Sequence, residues 1–197
     1  MENCNFEDIA VSLKASDVET TNETYKLFVS KRYYSTYLGI TESGSIFRGT
    51  IKSSVGLGII LTQGLGDTIR VSLTANPIEE VKVAYQILQY LNLRTTGIEI
   101  ISCPTYARTK VNLINIVNKL ENALSKIKNK NKARNIKIAV IWCVVNGPGE
   151  AKEADFGIAG GIGEGILFQN GRIICKVPED KWVKRLVSIY KNVIKQN

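Results

Sequence analysis

Apolar and polar residues alternate along the first half of the chain in a pattern that predicts strands and helices in turn. Three short apolar runs are predicted strands: IAVSL from Ile9, YLGIT from Tyr37 and TIRVSL from Thr68. A segment with helical periodicity follows each of them. The runs recur about every thirty residues, which is the length of a βα repeat. We therefore expect parallel strands joined through helices.

The helix after the third strand has the most specific start signal. Asn76 is a suitable N-cap, Pro77 suits the first helical position, and Glu79 stands where a capping box has its acid. The apolar face that we expect to be buried consists of Val81, Tyr85, Leu88 and Leu91.

After Gly97 the pattern predicts a second α/β unit. GIEIISC is a predicted strand, the segment from 109 to about 127 a helix, and IKIAVIWCVV a strand buried on both faces. The apolar side of the helix consists of Val111, Ile114, Val117, Leu120 and Leu124. EGILFQNGRIICKV predicts a hairpin, because Asn170-Gly171 is a preferred pair for a type I′ turn. An amphipathic helix follows from about Glu179, and its inward residues are Trp182, Leu186, Tyr190 and Val193.

Composition limits the class of protein. Of 197 residues, 44% are apolar, which is enough to build buried cores. No run approaches the roughly 18 apolar residues that a membrane span needs. The start, MENCNFEDIAVSLK, has no basic region followed by an apolar one, so we expect a cytoplasmic protein.

The formal charge of +8 raises the question of nucleic-acid binding. The densest basic run, SKIKNKNKARNIK from Ser125, contains no aromatic residue on which a base could stack, and a solvated loop is the expected structure. A nucleic-acid-binding module therefore rests on net charge alone. The chain has no His, so any chemistry must come from carboxylates, thiolates, lysines or a cofactor.

The carboxyl ends of parallel strands form the usual functional edge of such a fold. In the first unit this edge would carry Lys14, Ser16, Thr41, Glu42, Arg70 and Ser72. Cations and hydroxyls beside one carboxylate suit a phosphorylated ligand and an acid or base. Loop ends and helix caps are the alternative, and Asp17 is expected to be a cap.

In the second unit Cys103 ends one strand and Cys143 lies near the end of the next, so both thiols would approach one edge. A following helix would favour the thiolate of Cys103, and Glu150 could add an oxygen ligand. Two buried thiols and an exposed carboxylate remain the alternative. We expect Cys4 to be a small buried residue.

Six motifs resemble successive signatures of one enzyme family, the 4-hydroxy-3-methylbut-2-enyl diphosphate synthases. In chain order they are VSLKASDV at Val11, LGITESG at Leu38, GDTIRVSL at Gly66, CPT at Cys103, CVVNGPGE at Cys143 and ADFGIAGG at Ala154. The resemblance implies an α/β fold: about three repeats of a partial (β/α)8-type barrel in residues 1–95, then a small α/β [4Fe-4S]-binding domain in residues 96–197.

The resemblance also implies a reaction and its site. The family reductively opens 2-C-methyl-D-erythritol 2,4-cyclodiphosphate in non-mevalonate isoprenoid synthesis, with electrons from flavodoxin or ferredoxin. By motif, Cys103, Cys143 and Glu150 match cluster ligands. Lys14, Arg70 and Ser72 match groups that hold the diphosphate, and Glu42 matches the acid beside the reacting carbons. The family forms homodimers in which the cluster domain of one subunit covers the barrel of the other.

Two departures from the family pattern matter. The family has CPTC where this chain has CPTY, so Tyr106 stands in the place of a cysteine ligand. A phenol is a poor substitute for a thiolate, and the cluster is expected to be three-iron, labile or absent. Cys175 is the other thiol that could compensate, although packing is its expected role. The second departure is length, because the earlier barrel repeats and their arginines are missing.

Two hypotheses follow. The chain is either the C-terminal part of an active synthase, completed by a separate N-terminal barrel half, or a non-catalytic remnant. An open three-stranded remnant would expose a strand edge and apolar helix faces, which invite association.

Overall fold

A computed structural model describes residues 6–94, 97–103, 111–127, 135–142, 153–161 and 163–196. The chain divides into two units, Met1–Arg94 and Thr95–Asn197, each with its own core. None of the helices within the described ranges is long and apolar enough to cross a membrane.

The first unit alternates short strands with helices. Its elements are β1 (Ala10–Val11), α1 (Val18–Lys31), β2 (Ser35–Leu38), α2 (Ile46–Leu61), β3 (Thr68–Ile69) and α3 (Pro77–Tyr90). The strand order is β1-β2-β3, and both pairs are parallel, which confirms the predicted βα alternation.

The second strand lies earlier in the chain than its apolar run predicted. β2 runs from Ser35 to Leu38. Ser35 and Thr36 pair with β1, and Tyr37 and Leu38 pair with β3. Beyond Leu38 the chain turns toward the loop after β1, where the backbone N–H of Thr41 donates to Ala15 O at 3.4 Å. The predicted residues Ile40 and Thr41 therefore belong to a loop.

The core of the first unit closes around a buried tyrosine. Tyr25 on α1 is fully buried, and its hydroxyl donates to Tyr37 O at 2.7 Å and accepts from the backbone N–H of Leu13 at 3.0 Å. The aliphatic side chains around it come from β2, α2, β3 and α3. The Tyr25 hydroxyl thus joins the segment after β1 to β2 and holds the carboxyl ends of these two strands together.

The buried face of α3 differs from the prediction. Val81 and Tyr85 are 52% and 46% exposed, whereas Ile87 is buried. The inward residues are Val83, Ala84, Ile87, Leu88 and Leu91. This helix has apolar residues nearly all round, so its periodicity admits two stripes, and packing selects one. Asn76 caps the helix as predicted, but Glu79 accepts a hydrogen bond from Lys82 at 2.7 Å and does not close a capping box.

The second unit is a mixed five-stranded sheet with helices. Its elements are β4 (Gly97–Ser102), α4 (Leu113–Ser125), β5 (Asn135–Ile141), β6 (Phe156–Gly160), β7 (Glu164–Gln169), β8 (Arg172–Pro178), a 3-10 turn (Glu179–Lys181) and α5 (Trp182–Gln196). The strand order is β4-β5-β6-β7-β8. β4, β5 and β6 are parallel, whereas β7 is antiparallel to both of its neighbours.

Most predictions for this unit are confirmed. β4 and β5 are adjacent, and β7 and β8 form a hairpin in which Asn170 and Gly171 have φ values of 49° and 74°, as a type I′ turn requires. Trp182, Leu186 and Tyr190 are buried on the inner face of α5. The prediction that Ile114 lies on the buried side of α4 is wrong, because this residue is 62% exposed. α4 begins at Leu113 and buries instead the stripe of Leu113, Ile116, Leu120 and Leu124.

Candidate active site at the strand ends

In the first unit the loops after β1 and β2 are bound to each other. Thr41 Oγ1 donates to Ala15 O at 3.2 Å, and Ser16 Oγ donates to the carboxylate of Glu42 at 2.8 Å. Glu42 has a φ of 54°, in the left-handed region, so its backbone turns sharply at this point. The structure therefore holds the Glu42 carboxylate beside the loop that carries Lys14.

Arg70 follows β3 directly, and its backbone N–H donates to Leu38 O at 2.8 Å. Its guanidinium carbon lies 5.7 Å from the centroid of the Tyr37 ring, on the neighbouring strand. A Cβ at Gly39 would lie 3.1 Å from Arg70 O and 3.4 Å from Arg70 Nε, so a glycine there gives this arginine its room.

Among the described residues, Arg70 Nε is the one buried side-chain nitrogen or oxygen without a hydrogen-bond partner. A buried guanidinium N–H is strongly disfavoured without an acceptor. The natural acceptors for a guanidinium are carboxylate and phosphate oxygens. The Nε group is therefore a buried donor at this edge that lacks an acceptor among the described residues.

The other predicted residues of this edge lie at strand ends without contacting one another. Lys14 is exposed beyond β1, and Ser72 is half-buried beyond β3. Within the described part of the chain no hydrogen bond or ion pair joins Lys14, Glu42, Arg70 and Ser72 directly. Each of them follows the carboxyl end of one of the three parallel strands.

Sequence reasoning gave no role to the groups that fix the loop after β2. Buried Ser43 donates to Ile40 O at 3.0 Å and receives a hydrogen bond from Ser53 at 3.4 Å. Lys52 Nζ donates to Glu42 O at 3.5 Å. The signal that could have found them is Ser53, a hydroxyl on the side of α2 that also carries Gly49, Gly56 and Leu57, since a buried hydroxyl needs a partner.

Asp17 is the N-cap of α1, as predicted. Its carboxylate accepts a hydrogen bond from the backbone N–H of Thr20 at 2.6 Å. This hydrogen bond, together with one from the Thr20 hydroxyl, lowers the pKa of the Asp17 carboxyl below its usual 3.8. The negative charge of the ionised Asp17 carboxylate also interacts favourably with the positive N-terminal end of the helix dipole.

The Asp17→Asn variant tests this charge, because asparagine keeps the cap but cannot ionise. A carboxyl with a lowered pKa stabilises the folded state above pH 3.8 and loses that contribution as pH falls through the folded-state value. We expect the variant to be less stable than the natural chain at neutral pH, and the difference to vanish in acid. Urea unfolding at neutral pH and well below pH 3.8 measures it. A difference that does not change with pH would contradict the assignment.

In the second unit Cys103 directly follows β4, whose last residue, Ser102, pairs with Val140 of β5. β5 ends at Ile141 and Trp142 follows it, so the chain reaches the position before Cys143 at the same edge as Cys103. The Cys103 side chain is half-buried and packs against the clusters on both faces of the sheet.

The remaining predicted ligand positions, Cys143, Glu150 and Tyr106, lie outside the described residues, as does Cys4. Within the described ranges no three His, Cys, Asp or Glu side chains converge on one point as a metal site would require. Cys175 on β8 is opposite Leu167 and packs against the main core of the unit, in keeping with the packing role predicted for it.

Comparisons with known proteins give consistent matches in both units. Residues 1–85 match the model of the GcpE TIM-barrel domain, and residues 99–192 match that of the GcpE protein C-terminal domain. The chain is similar to proteins named 4-hydroxy-3-methylbut-2-en-1-yl diphosphate synthase (flavodoxin). The one from Ruminiclostridium cellulolyticum is 53% identical over 187 residues, which are 95% of this chain and 52% of the relative.

Two further relatives with the same name agree. The protein from Clostridium perfringens is 51% identical over 193 residues, which are 98% of this chain and 54% of the relative. The protein from Geobacter sulfurreducens is 48% identical over 194 residues, again 98% of this chain and 54% of the relative. The chain thus spans about half the length of the curated relatives that it matches. Because two consecutive GcpE domain models together match nearly all of it, the chain belongs to the GcpE family, as its motifs indicated.

Proposed function

We propose that this chain provides the C-terminal part of a 4-hydroxy-3-methylbut-2-enyl diphosphate synthase. The first unit would contribute three repeats of a TIM-type barrel, and the second would be the iron-sulfur domain. The reaction is the reductive conversion of 2-C-methyl-D-erythritol 2,4-cyclodiphosphate in non-mevalonate isoprenoid synthesis. The observation that carries the proposal is the unpaired Arg70 Nε at the strand-end edge.

The substrate would bind by its diphosphate. Arg70 would bind phosphate oxygens through its guanidinium, which lies over the Tyr37 ring and beside the backbone at Gly39. Lys14, beyond the end of β1, and Ser72, beyond the end of β3, would donate to the remaining oxygens. Such charge-assisted hydrogen bonds are shorter and stronger than neutral ones.

Glu42 would be the acid or base beside the reacting carbons. Its carboxylate is fixed by the hydrogen bond from Ser16 at 2.8 Å and by the left-handed backbone turn at its own position. A general acid or base is effective only when it is held within reach of the proton that it transfers. These two restraints support that role for Glu42.

Of the proposed cluster ligands, Cys103 is the one that lies within the described residues. Cys103 would be one thiolate ligand, Cys143 a second and Glu150 an oxygen ligand, with Tyr106 in the fourth family position. A half-buried thiol at the carboxyl end of β4, next to the strand that leads to Cys143, fits such a ligand. A bound [4Fe-4S] cluster would supply electrons for the reductive step, and a tyrosine in place of one thiolate would leave it incomplete or labile.

Flavodoxin or ferredoxin would be the electron donor, in accordance with the relatives' names, which specify flavodoxin. The outer face of α5 offers a docking surface with suitable charge. From residue 181 to 195 it and the end of the preceding turn carry five exposed cations, Lys181, Lys184, Arg185, Lys191 and Lys195, and one exposed acid, Asp180, lies just before them in that turn. A cationic surface steers an acidic partner toward it.

The partner of this chain would be a separate N-terminal barrel half or a second copy of the chain in a homodimer. Additional strands would join at β1 and β3, the outer strands of the three-stranded sheet. The cytoplasm is the proposed location. Tyr106 and the half-length match favour a second candidate, a non-catalytic remnant of the same enzyme.

Anaerobic reconstitution of the full chain with iron and sulfide tests the first candidate. We expect bound iron and sulfide in the natural chain, retention in the Cys175→Ser variant, and loss in the Cys103→Ser variant. Cys175 is the matched control because it is also a half-buried thiol of the second unit. Iron bound equally by both variants would contradict the ligand role of Cys103. A natural chain that binds no iron would favour the second candidate, the non-catalytic remnant.

A further inference from the structure

Arg70 and Tyr37 lie on the face of the first sheet that points away from its helices. The residues on either side of Arg70 in the chain, Ile69 and Val71, both belong to the core that the helices cover. The same holds for Leu38, which follows Tyr37 on β2. Successive side chains along a strand point to opposite faces, so Arg70 and Tyr37 share the other face. The contact between these two side chains is therefore not part of the hydrophobic core.

The pairing of β2 with β3 brings the two side chains together. Leu38 pairs with Ile69, and the backbone N–H of Arg70 donates to Leu38 O at 2.8 Å. The backbone of Tyr37 is anchored as well, because its carbonyl accepts from the Tyr25 hydroxyl at 2.7 Å. The Arg70 guanidinium carbon lies 5.7 Å from the centroid of the Tyr37 ring, within the range of a cation–π contact. The register of the sheet thus sets this contact.

No carboxylate holds the Arg70 guanidinium in the described part of the chain. Neither an ion pair nor a hydrogen bond reaches its side chain there, and Nε is buried without an acceptor. The side chain has room because residue 39 is a glycine, where a Cβ would lie 3.4 Å from Nε. Among the described residues, the Tyr37 ring is therefore the group that interacts with the charge of this guanidinium.

An aromatic ring and a carboxylate orient an arginine with different consequences. A carboxylate would neutralise the guanidinium and accept hydrogen bonds from the N–H groups that an anionic ligand needs. A ring attracts the cation through its quadrupole and leaves the positive charge in place. An arginine that lies over a ring is therefore oriented and still able to bind an anion. An arginine of this kind also loses less side-chain entropy when the anion binds, because it is already ordered.

We propose that Tyr37 is a positioning residue, whose ring orients the Arg70 guanidinium for the diphosphate of the substrate. The inference rests on the proposed function for the identity of this anion. It adds to the site a residue for which the sequence predicted only a place in a strand. Tyr37 would act through Arg70 and would raise the affinity for the anion without touching it.

Nitrogen-15 relaxation of the full chain measures the orientation without any ligand. The Arg70 Nε–H signal is identified by its loss in the Arg70→Lys variant. We expect an ordered Nε–H in the natural chain and in Tyr37→Phe, which keeps the ring. In Tyr37→Leu, which has no ring, the order parameter should fall below about 0.6. An equally ordered Nε–H in Tyr37→Leu would overturn the proposal, and so would an equal loss of order in Tyr37→Phe.

Calorimetric titration with inorganic pyrophosphate measures the consequence for anion binding. We expect the Kd to rise about fivefold in Tyr37→Leu, because the released arginine must be ordered again on binding, and to stay unchanged in Tyr37→Phe. Tyr85→Leu is the matched control, because the Tyr85 ring of α3 also contacts a guanidinium, that of Arg94 at 4.2 Å. This control should leave the Kd unchanged. Far-UV circular dichroism checks folding, and Tyr37→Gln replaces Tyr37→Leu if the latter does not fold.

The two measurements separate this inference from the proposed function. A natural chain that binds no pyrophosphate would contradict the proposed diphosphate site, and the relaxation data would still decide whether Tyr37 orients Arg70. Pyrophosphate bound equally by the natural chain and Tyr37→Leu would overturn the claim that the orientation serves the anion. An equal loss of affinity in Tyr37→Leu and Tyr85→Leu would also overturn it, because the effect would then not depend on the ring beside Arg70.

Discussion

Replacing Trp182 with alanine should lower the free energy of unfolding of the second unit by about 3–5 kcal/mol. Trp182 is fully buried at the start of α5, and its ring fills the space beneath Gly160, where any Cβ would collide with it. Its indole N–H donates to Val177 O at 2.9 Å. The substitution leaves a large cavity and removes the donor of a buried hydrogen bond, so the two losses act together.

Urea unfolding followed by far-UV circular dichroism measures the change, since the variant lacks one of the two fluorescent indoles. Trp182→Phe should lose less stability, because the phenyl ring fills most of the cavity. Tyr33→Ala is the control in the first unit, where the side chain is fully exposed and its removal should have little effect. A loss below about 1 kcal/mol for Trp182→Ala would show that the sheet relaxes into the cavity.

The Tyr106→Cys variant should bind iron and sulfide more fully than the natural chain and release iron to a chelator at least about tenfold more slowly. The substitution restores the CPTC motif of the family, and a thiolate is the usual ligand of an iron-sulfur cluster. Anaerobic reconstitution, iron and sulfide assays and a timed chelator challenge measure the effect.

Tyr33→Cys is the matched control for this experiment, because it exchanges the same residue types at an exposed site in the first unit. An equal gain in iron there would show that any added thiol recruits metal. No gain at Tyr106→Cys would mean that the missing ligand is not the limitation, and would favour the non-catalytic remnant.

Local signals predicted the elements of this fold well. The hairpin follows from Asn170 and Gly171, and the start of α3 from Asn76, because the residues that determine each lie within a few positions of one another. The exposed Val81 and Ile114 show where such signals fail. A helix with apolar residues on more than one side does not specify which side meets the sheet, and only packing against distant strands decides it.

Some features of the candidate site could likewise be predicted from the sequence, and others could not. The motif residues could be placed at strand ends from the sequence, because parallel strands share an edge. The unpaired Nε of Arg70 could not be predicted, since its surroundings depend on Tyr37 in the neighbouring strand β2 and on Gly39 directly after it. These residues are separated from Arg70 by about the thirty positions of a βα repeat. The hydrogen bond from Ser16 to Glu42 likewise joins loops that only the fold brings together.

The order of the strands in both sheets is their order along the chain. Within each sheet, every strand after the first therefore pairs with the strand that precedes it in the chain, and no later segment has to insert between two strands that are already joined. The parallel pairs each require a crossover connection, so we expect them to form more slowly than the β7–β8 hairpin, whose strands are joined by a two-residue turn. A sheet ordered in this way can be extended by a repeat at an outer strand without breaking any pairing that already exists.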